Sequence, residues 1–259
     1  MSLFTTILLG ILQGLTEFLP ISSSAHLVFA EQLLKLNADA RLSYNAFLHL
    51  GTTLTLLIFF GKRIIQIIGS IFAPGTIQRR TNLLLLLYII IGSIPAALVG
   101  LLFKDKIELA FAQPIYPSIF LIFTGLLLFV THLAKSQLTK ITLLTAIIIG
   151  IVQAIALLPG ISRSGATIAT ALLLGISSYD AFEFSFLLSI PAVLGANILT
   201  FNDLTNASIS IPAIVIGILI SAFTGLLALI LLRQLVLKRK LYYLGLYCIA
   251  VSVLALIIF

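Results

Sequence analysis

Two clusters of polar residues interrupt an otherwise apolar 259-residue chain, and both carry side chains suited to chemistry. The first holds Gln13, Glu17, Ser22, Ser23, Ser24 and His26. Gln13 and Glu17 are four residues apart and so share one helix face. A carboxylate there can act as general base, metal ligand or proton carrier. With the Gln13 amide it offers the oxygen ligands that Mg²⁺ or Ca²⁺ prefer. The three serines follow a helix-breaking Pro20 and precede a second helix start, where N–H groups and hydroxyls receive anions. His26 is within reach of the same turn and can shuttle a proton. The second cluster runs from Pro159 to Thr167. Gly160 and Gly165 permit tight turns there. Ser162, Ser164 and Thr167 supply hydroxyls, and Arg163 supplies a planar fork for phosphate oxygens. Together the clusters suit phosphoryl transfer, with donors for phosphate, a nucleophile or water, and a base.

Several of these residues have plainer readings. Ser164 beside glycine fits close helix packing, and Gln13 and Gln153 fit hydrogen bonds between helices. His49 and His132, alone near the ends of apolar runs, read as structural or interfacial. Asp180 and Glu183 suit a helix N-terminus. Tyr242, Tyr243 and Tyr247 follow a basic loop and read as interface anchors. No such reading serves Glu17 and Arg163, because an unpaired ionisable group at membrane depth is costly. Each cluster therefore needs the other.

The elements that must bring them together are membrane helices. Hydrophobic residues make up 61% of the chain and charged ones 9%, and the mean hydropathy is +1.24. Apolar runs of about 18 residues bounded by charges recur, the pattern of a polytopic all-α bundle rather than of a β-barrel. A net charge of +7 would suggest nucleic acid in a soluble protein. Here the basic residues sit in loops that obey membrane topology, so no nucleic-acid partner is expected. The single cysteine, Cys248, excludes an intramolecular disulfide. The start, Met1-Ser2-Leu3-Phe4, lacks the features of a removable signal peptide.

Residues 1–36 are broken at Pro20, giving two short helices with a polar tip, the pattern of a re-entrant hairpin. Crossings follow at Tyr44–Gly61, Asn82–Phe103 (with Pro95 inside) and Ile115–Ala134. Between them lie a basic connection with a short apolar piece at 64–73 and a Pro74-Gly75 turn, then a charged loop, Lys104–Pro114. A short link, Lys135–Lys140, ends the first half, and the pattern then restarts. Gly150-Ile-Val-Gln153 echoes Gly10-Ile-Leu-Gln13, Pro159 to Ser164 echoes Pro20 to Ser24, and Ser178 to Phe182 echoes Ser43 to Phe47. These offsets of 140, 139 and 135 residues mark a duplication with pseudo-repeats 1–134 and 141–259 inside a single integral membrane domain, 1–259. The second broken segment, 141–176, precedes crossings at Ala181–Phe201, Ile211–Leu232 and Leu241–Phe259.

One re-entrant hairpin plus three crossings per half makes the second half enter from the opposite side, an inverted repeat with its site near the midplane. Loops on the side of the termini carry four Lys and Arg, those on the other side ten. Positive charge favours the cytoplasm, so both termini are expected outside.

At these motifs the chain resembles the bacterial undecaprenyl-diphosphate phosphatase family, the integral-membrane type associated with bacitracin resistance. The resemblance rests on Gln13-Gly-Leu-Thr-Glu17, Pro20-Ile-Ser-Ser-Ser-Ala-His26, Pro159 to Thr167 and Glu183-Phe-Ser-Phe-Leu-Leu188. It implies hydrolysis of undecaprenyl diphosphate, within the bilayer, to the monophosphate and phosphate. That reaction recycles the lipid carrier for peptidoglycan and cell-wall synthesis. The resemblance also implies a divalent cation, Mg²⁺ or Ca²⁺, and a plasma (inner) membrane location, and the charge count places the site's opening on the periplasmic or outer side. It leaves room for a homo-oligomer. By motif position Glu17 is the acid/base or metal-associated carboxylate, Ser23 the nucleophile, His26 a proton-transfer partner and Arg163 the phosphate clamp. Ser22, Ser24, Ser162 and Thr167 line the site, with Gln13 and Ser164 beside them. Gln13 stands where many members have Glu, so the site has one carboxylate fewer. The rival reading is a transporter or flippase of a lipid phosphate or anion, since secondary transporters share this architecture.

Overall fold

The computed structural model describes residues 2–36, 38–72, 75, 77–111, 113–134, 140–199 and 210–259. They form twelve α-helices and no β-strand. In chain order these are α1 (Leu3–Phe18), α2 (Ser23–Leu33), α3 (Ala38–Phe59), α4 (Gly61–Phe72), α5 (Ile77–Leu102) and α6 (Lys104–Phe111). Then follow α7 (Ile115–Val130), α8 (Leu143–Ile155), α9 (Arg163–Leu173), α10 (Ser178–Leu199), α11 (Ile211–Leu237) and α12 (Leu241–Ile258). Among the described residues, five helices are long and apolar enough to cross a membrane: α5, α7 with its 3₁₀ end, α10, α11 and α12. A sixth span comes from α3 and α4 taken together, bent by 65° at their junction.

The expected breaks are where the prolines put them. α1 stops at Phe18, and Leu19 turns extended (φ −58°, ψ 136°) because Pro20 excludes helical geometry from the residue before it. α8 is opened by a reciprocal cap between Thr142 and Thr145 and ends at Ile155, four residues short of Pro159. Both are too short to count as crossings, in contrast to the long helices that surround them. One expectation shifts. Lys104–Pro114 is largely helical, since α6 is held by a Lys104–Glu108 pair one turn apart at 3.6 Å. Pro95 sits inside α5, which continues through it. The Pro74-Gly75 turn and the Lys135–Lys140 link lie outside the described residues except for Gly75 and Lys140.

Packing ties the two halves of the chain together. α1 lies against α11, α8 against α5, α3 against both α10 and α11, and α7 against α12. Small residues allow the closest approaches: a Cβ on Gly150 of α8 would collide with the backbone of Gly92 in α5. Beneath the two breaks an aromatic cluster fills the core. Phe182 and Phe186 of α10 pack at 4.9 Å, and Phe60 and Phe18 each lie 5.9 Å from Phe186. Phe18 and Phe186 are buried, which fixes the end of α1, and with it Glu17, against α10.

Candidate active site

The two breaks meet. Ser22 takes a positive φ of 68°, a conformation costly for a residue other than glycine, and its hydroxyl caps α2 at the Ala25 amide. Ser23 is then the first residue of α2 and Arg163 the first of α9. On the second tip Gly160 has φ 100°, and a Cβ there would collide with the Pro117 carbonyl of α7. Thr124 of α7 staples this tip: its hydroxyl donates to the Gly160 carbonyl (2.9 Å) and accepts from the Ser162 amide (3.0 Å). The tips are also bonded to each other. The Gly160 amide donates to Ser24 Oγ (3.2 Å), and Ser164 Oγ donates to the Phe18 carbonyl (3.1 Å).

Glu17 is the hub. Its Oε1 accepts from Arg163 Nη2 at 2.7 Å, and its Oε2 accepts from Ser23 Oγ at 2.7 Å and Gln13 Nε2 at 3.2 Å. The carboxylate therefore sits between two helix N-termini, where partial positive charge favours an anion. The pair is largely withdrawn from solvent, with side-chain exposures of 9% and 18%. Breaking it by removing one partner leaves an uncompensated buried charge, at a cost of about 3–5 kcal/mol.

Glu17, Ser22, Ser23, Ser24, Ser162 and Arg163 line a cavity of about 550 Å³ between the halves. Gln13, Ser164 and Thr167, expected at the substrate, stand behind its wall instead. Gln13 is fully buried against Glu17, Ser164 holds the Phe18 carbonyl, and Thr167 Oγ1 donates to the Arg163 carbonyl (2.8 Å). His26 also faces elsewhere. Its Nδ1 is 2.8 Å from the Ser22 carbonyl, and its Nε2 is 2.9 Å from the Tyr247 hydroxyl, with the two rings stacked. Tyr247, expected as an interface anchor, is also a partner of His26. Tyr242 instead packs on His132 at 5.0 Å and on Tyr243 at 4.2 Å. Glu183, read as structural, does pair with Arg63 at 3.0 Å, away from the cavity.

His49 of α3, which reads from the sequence as structural or interfacial, lines the cavity with its Nδ1 3.6 Å from Glu17 Oε2. The Gln13 amide nitrogen lies 3.2 Å from Glu17 Oε2 and 3.0 Å from His49 Nδ1, bridging the carboxylate and the imidazole. The side chain is 37% exposed, the most open of the groups around Glu17. The signal was present in the sequence: His49, Thr52 and Thr53 form one polar face at helical spacing.

The donor set bears on the divalent cation. Among the described residues no group of three or more His, Cys, Asp and Glu is arranged to hold a metal. Glu17 has both oxygens engaged, while the buried Gln13 Oε1 has no partner. Gln13 Oε1 lies behind the cavity wall, so Glu17 is the one protein ligand these residues offer, and a cation here would take its remaining ligands from phosphate and water.

Fold and site together define a multi-pass helical membrane protein whose two broken helix pairs join a carboxylate, a serine and a guanidinium at one cavity. Residues 6–254 match the family described as Bacitracin resistance protein BacA, and the chain belongs to that family. It is similar to a protein named undecaprenyl-diphosphatase from Methanococcus vannielii, 41% identical over 249 residues that cover 95% of this chain and 96% of that one. A protein of the same name from Geotalea daltonii is 41% identical over 266 residues, covering 99% and 98%. One from Thermosipho africanus is 39% identical over 251 residues, covering 96% and 97%.

Proposed function

We propose that this protein is an undecaprenyl-diphosphatase, a membrane hydrolase that cleaves undecaprenyl diphosphate to the monophosphate and inorganic phosphate. The observation that carries the reading is the Glu17 carboxylate held at 2.7 Å by Ser23 on one side and by Arg163 on the other. Ser23 already donates its proton toward Glu17, the geometry of a hydroxyl nucleophile beside its base. Ser23 Oγ attacks the terminal phosphorus, Glu17 takes the hydroxyl proton, and the bridging P–O bond breaks with its electron pair leaving on undecaprenyl monophosphate. Glu17 passes that proton to solvent at the open edge of the site; water then attacks the phosphoserine, its proton goes to Glu17 and on to the Ser23 oxygen as the serine O–P bond breaks, and serine, carboxylate and phosphate are returned. Arg163 exchanges part of its contact with Glu17 for phosphate oxygens and offsets charge on the phosphoryl group as it transfers. The His49 ring, at the open edge of the site, is placed to exchange protons with the leaving group or with water. His26, bonded to Tyr247 and to the Ser22 carbonyl, orients the serine tip. A divalent cation, held by Glu17 and the substrate's own phosphate oxygens, would neutralise charge on the diphosphate.

Two broken segments followed by three spans each, with α1 on α11 mirrored by α8 on α5, support an inverted repeat about an axis through the cavity. The four-to-ten bias in loop Lys and Arg supports termini outside and a first hairpin entered from the periplasmic or outer face of the plasma membrane. The test is phosphate release from farnesyl diphosphate by the purified full-length protein in detergent, where no second compartment exists. Hydrolysis is expected, with Glu17→Gln losing about 10²–10⁴-fold in kcat. Diphosphate binding without release would favour a carrier.

A further inference from the structure

Among the polar groups of the cavity wall that the reaction above does not use, one has no partner on either of its side-chain polar atoms. Gln153 of α8 is 0% exposed and forms part of the cavity wall, and neither its Oε1 nor its Nε2 has a hydrogen-bond partner. A buried amide left unpartnered on both atoms costs free energy that an apolar residue of the same size would not. α8 cannot withdraw it, because Gly150, one turn earlier, is pressed against the backbone of Gly92. The comparison with Gln13, its counterpart 140 residues earlier, is informative. There the amide nitrogen is spent on Glu17 and His49, both protein groups. Gln153 has no such acid on its own helix, and it shares its cavity with Arg163 and Ser23.

We infer that Gln153 is a substrate-binding residue whose Nε2 donates to a diphosphate oxygen beside the Arg163 fork. This rests on the phosphatase reading for its substrate, but the binding chemistry is that of any diphosphate. A neutral donor suits the place: it adds a directional hydrogen bond to the oxyanion without a second cation that would retain the phosphate product.

The experiment uses full-length protein in detergent and three forms: wild type, Gln153→Met and Gln153→Glu. Phosphate release from farnesyl diphosphate gives KM and kcat, and the melting temperature is measured with and without methylenediphosphonate, a non-hydrolysable diphosphate. For Gln153→Met the expected result is a KM raised about tenfold or more, kcat within about threefold, and a basal melting temperature equal to or above wild type. The diphosphonate-induced rise in melting temperature is expected in wild type and lost in the variant. A native KM in Gln153→Met overturns the inference and leaves the amide a structural group. Should that variant prove unstable, the nearly isosteric Gln153→Glu decides alone, since a carboxylate repels the diphosphate. A KM raised at least as much supports the inference, and a native KM overturns it. If wild type releases no phosphate, the phosphatase reading fails but the inference is still read from the diphosphonate shift. Its loss in Gln153→Met supports the inference, whereas its persistence there or its absence in wild type overturns it.

Discussion

The two broken segments have the same plan and opposite chemistry. Each is a short helix carrying a glutamine, a proline break, and a second helix of eleven residues whose first turn reaches the cavity. Along the first, Gln13 is followed by Glu17; at the same offset along the second, Gln153 is followed by Leu157. Past the prolines the sense reverses, and Ser24 of the first segment has Arg163 as its counterpart. One tip therefore brings the acid and the serine, and the other brings the guanidinium. Both breaks aim a helix N-terminus at the same cavity, and the different side chains they carry make one complementary site rather than two equal ones.

Removing the charge that only the second segment supplies has the largest expected effect. Arg163→Ala should lower kcat/KM by about 10³-fold or more, measured as phosphate release, because both the phosphate clamp and the partner of a buried carboxylate go at once. Making the segments more alike is the sharper variant. Leu157→Glu adds to the second the acid of the first, and its charge should raise KM for a diphosphate by about tenfold, most at low salt. Loosening the second tip alone comes next. Thr124→Val loses the hydrogen bonds to Gly160 and Ser162, should cost about 1–2 kcal/mol in thermal unfolding, and should lower kcat several-fold. The smallest effect belongs to the first tip: Tyr247→Phe frees His26 Nε2 and should change kcat/KM by about threefold, with the melting temperature nearly unchanged.

The sequence showed most clearly what the bilayer penalises. Pro20 and Pro159 announced the breaks, and Glu17 and Arg163 had to meet because neither is tolerated alone in lipid. That meeting fixed the centre of the site before any coordinates. What stayed hidden were groups whose partners are distant in sequence and chemically ordinary. His49 and Thr124 sit on crossing helices as single polar residues, and only tertiary packing reveals what they touch. Tyr247 follows a basic loop, where an interface anchor is the natural reading, yet its hydroxyl turns inward to His26. For Thr167 and Ser164 motif membership suggests substrate contact, whereas the structure shows their hydroxyls donating to the Arg163 and Phe18 carbonyls. α6 reads as a loop from its charges alone, because the one-turn pair that holds it, Lys104–Glu108, is not evident from charge content.

A double-mutant cycle on phosphate release tests most directly whether the two segments make one site. Glu17→Gln, Arg163→Ala and the combined variant are compared with wild type for kcat/KM. If the carboxylate and the guanidinium act as a unit, the combined variant falls no more than about tenfold below the worse single variant. Losses that multiply, so that the combined variant drops by the product of the two, would mean that Glu17 and Arg163 serve separate sites.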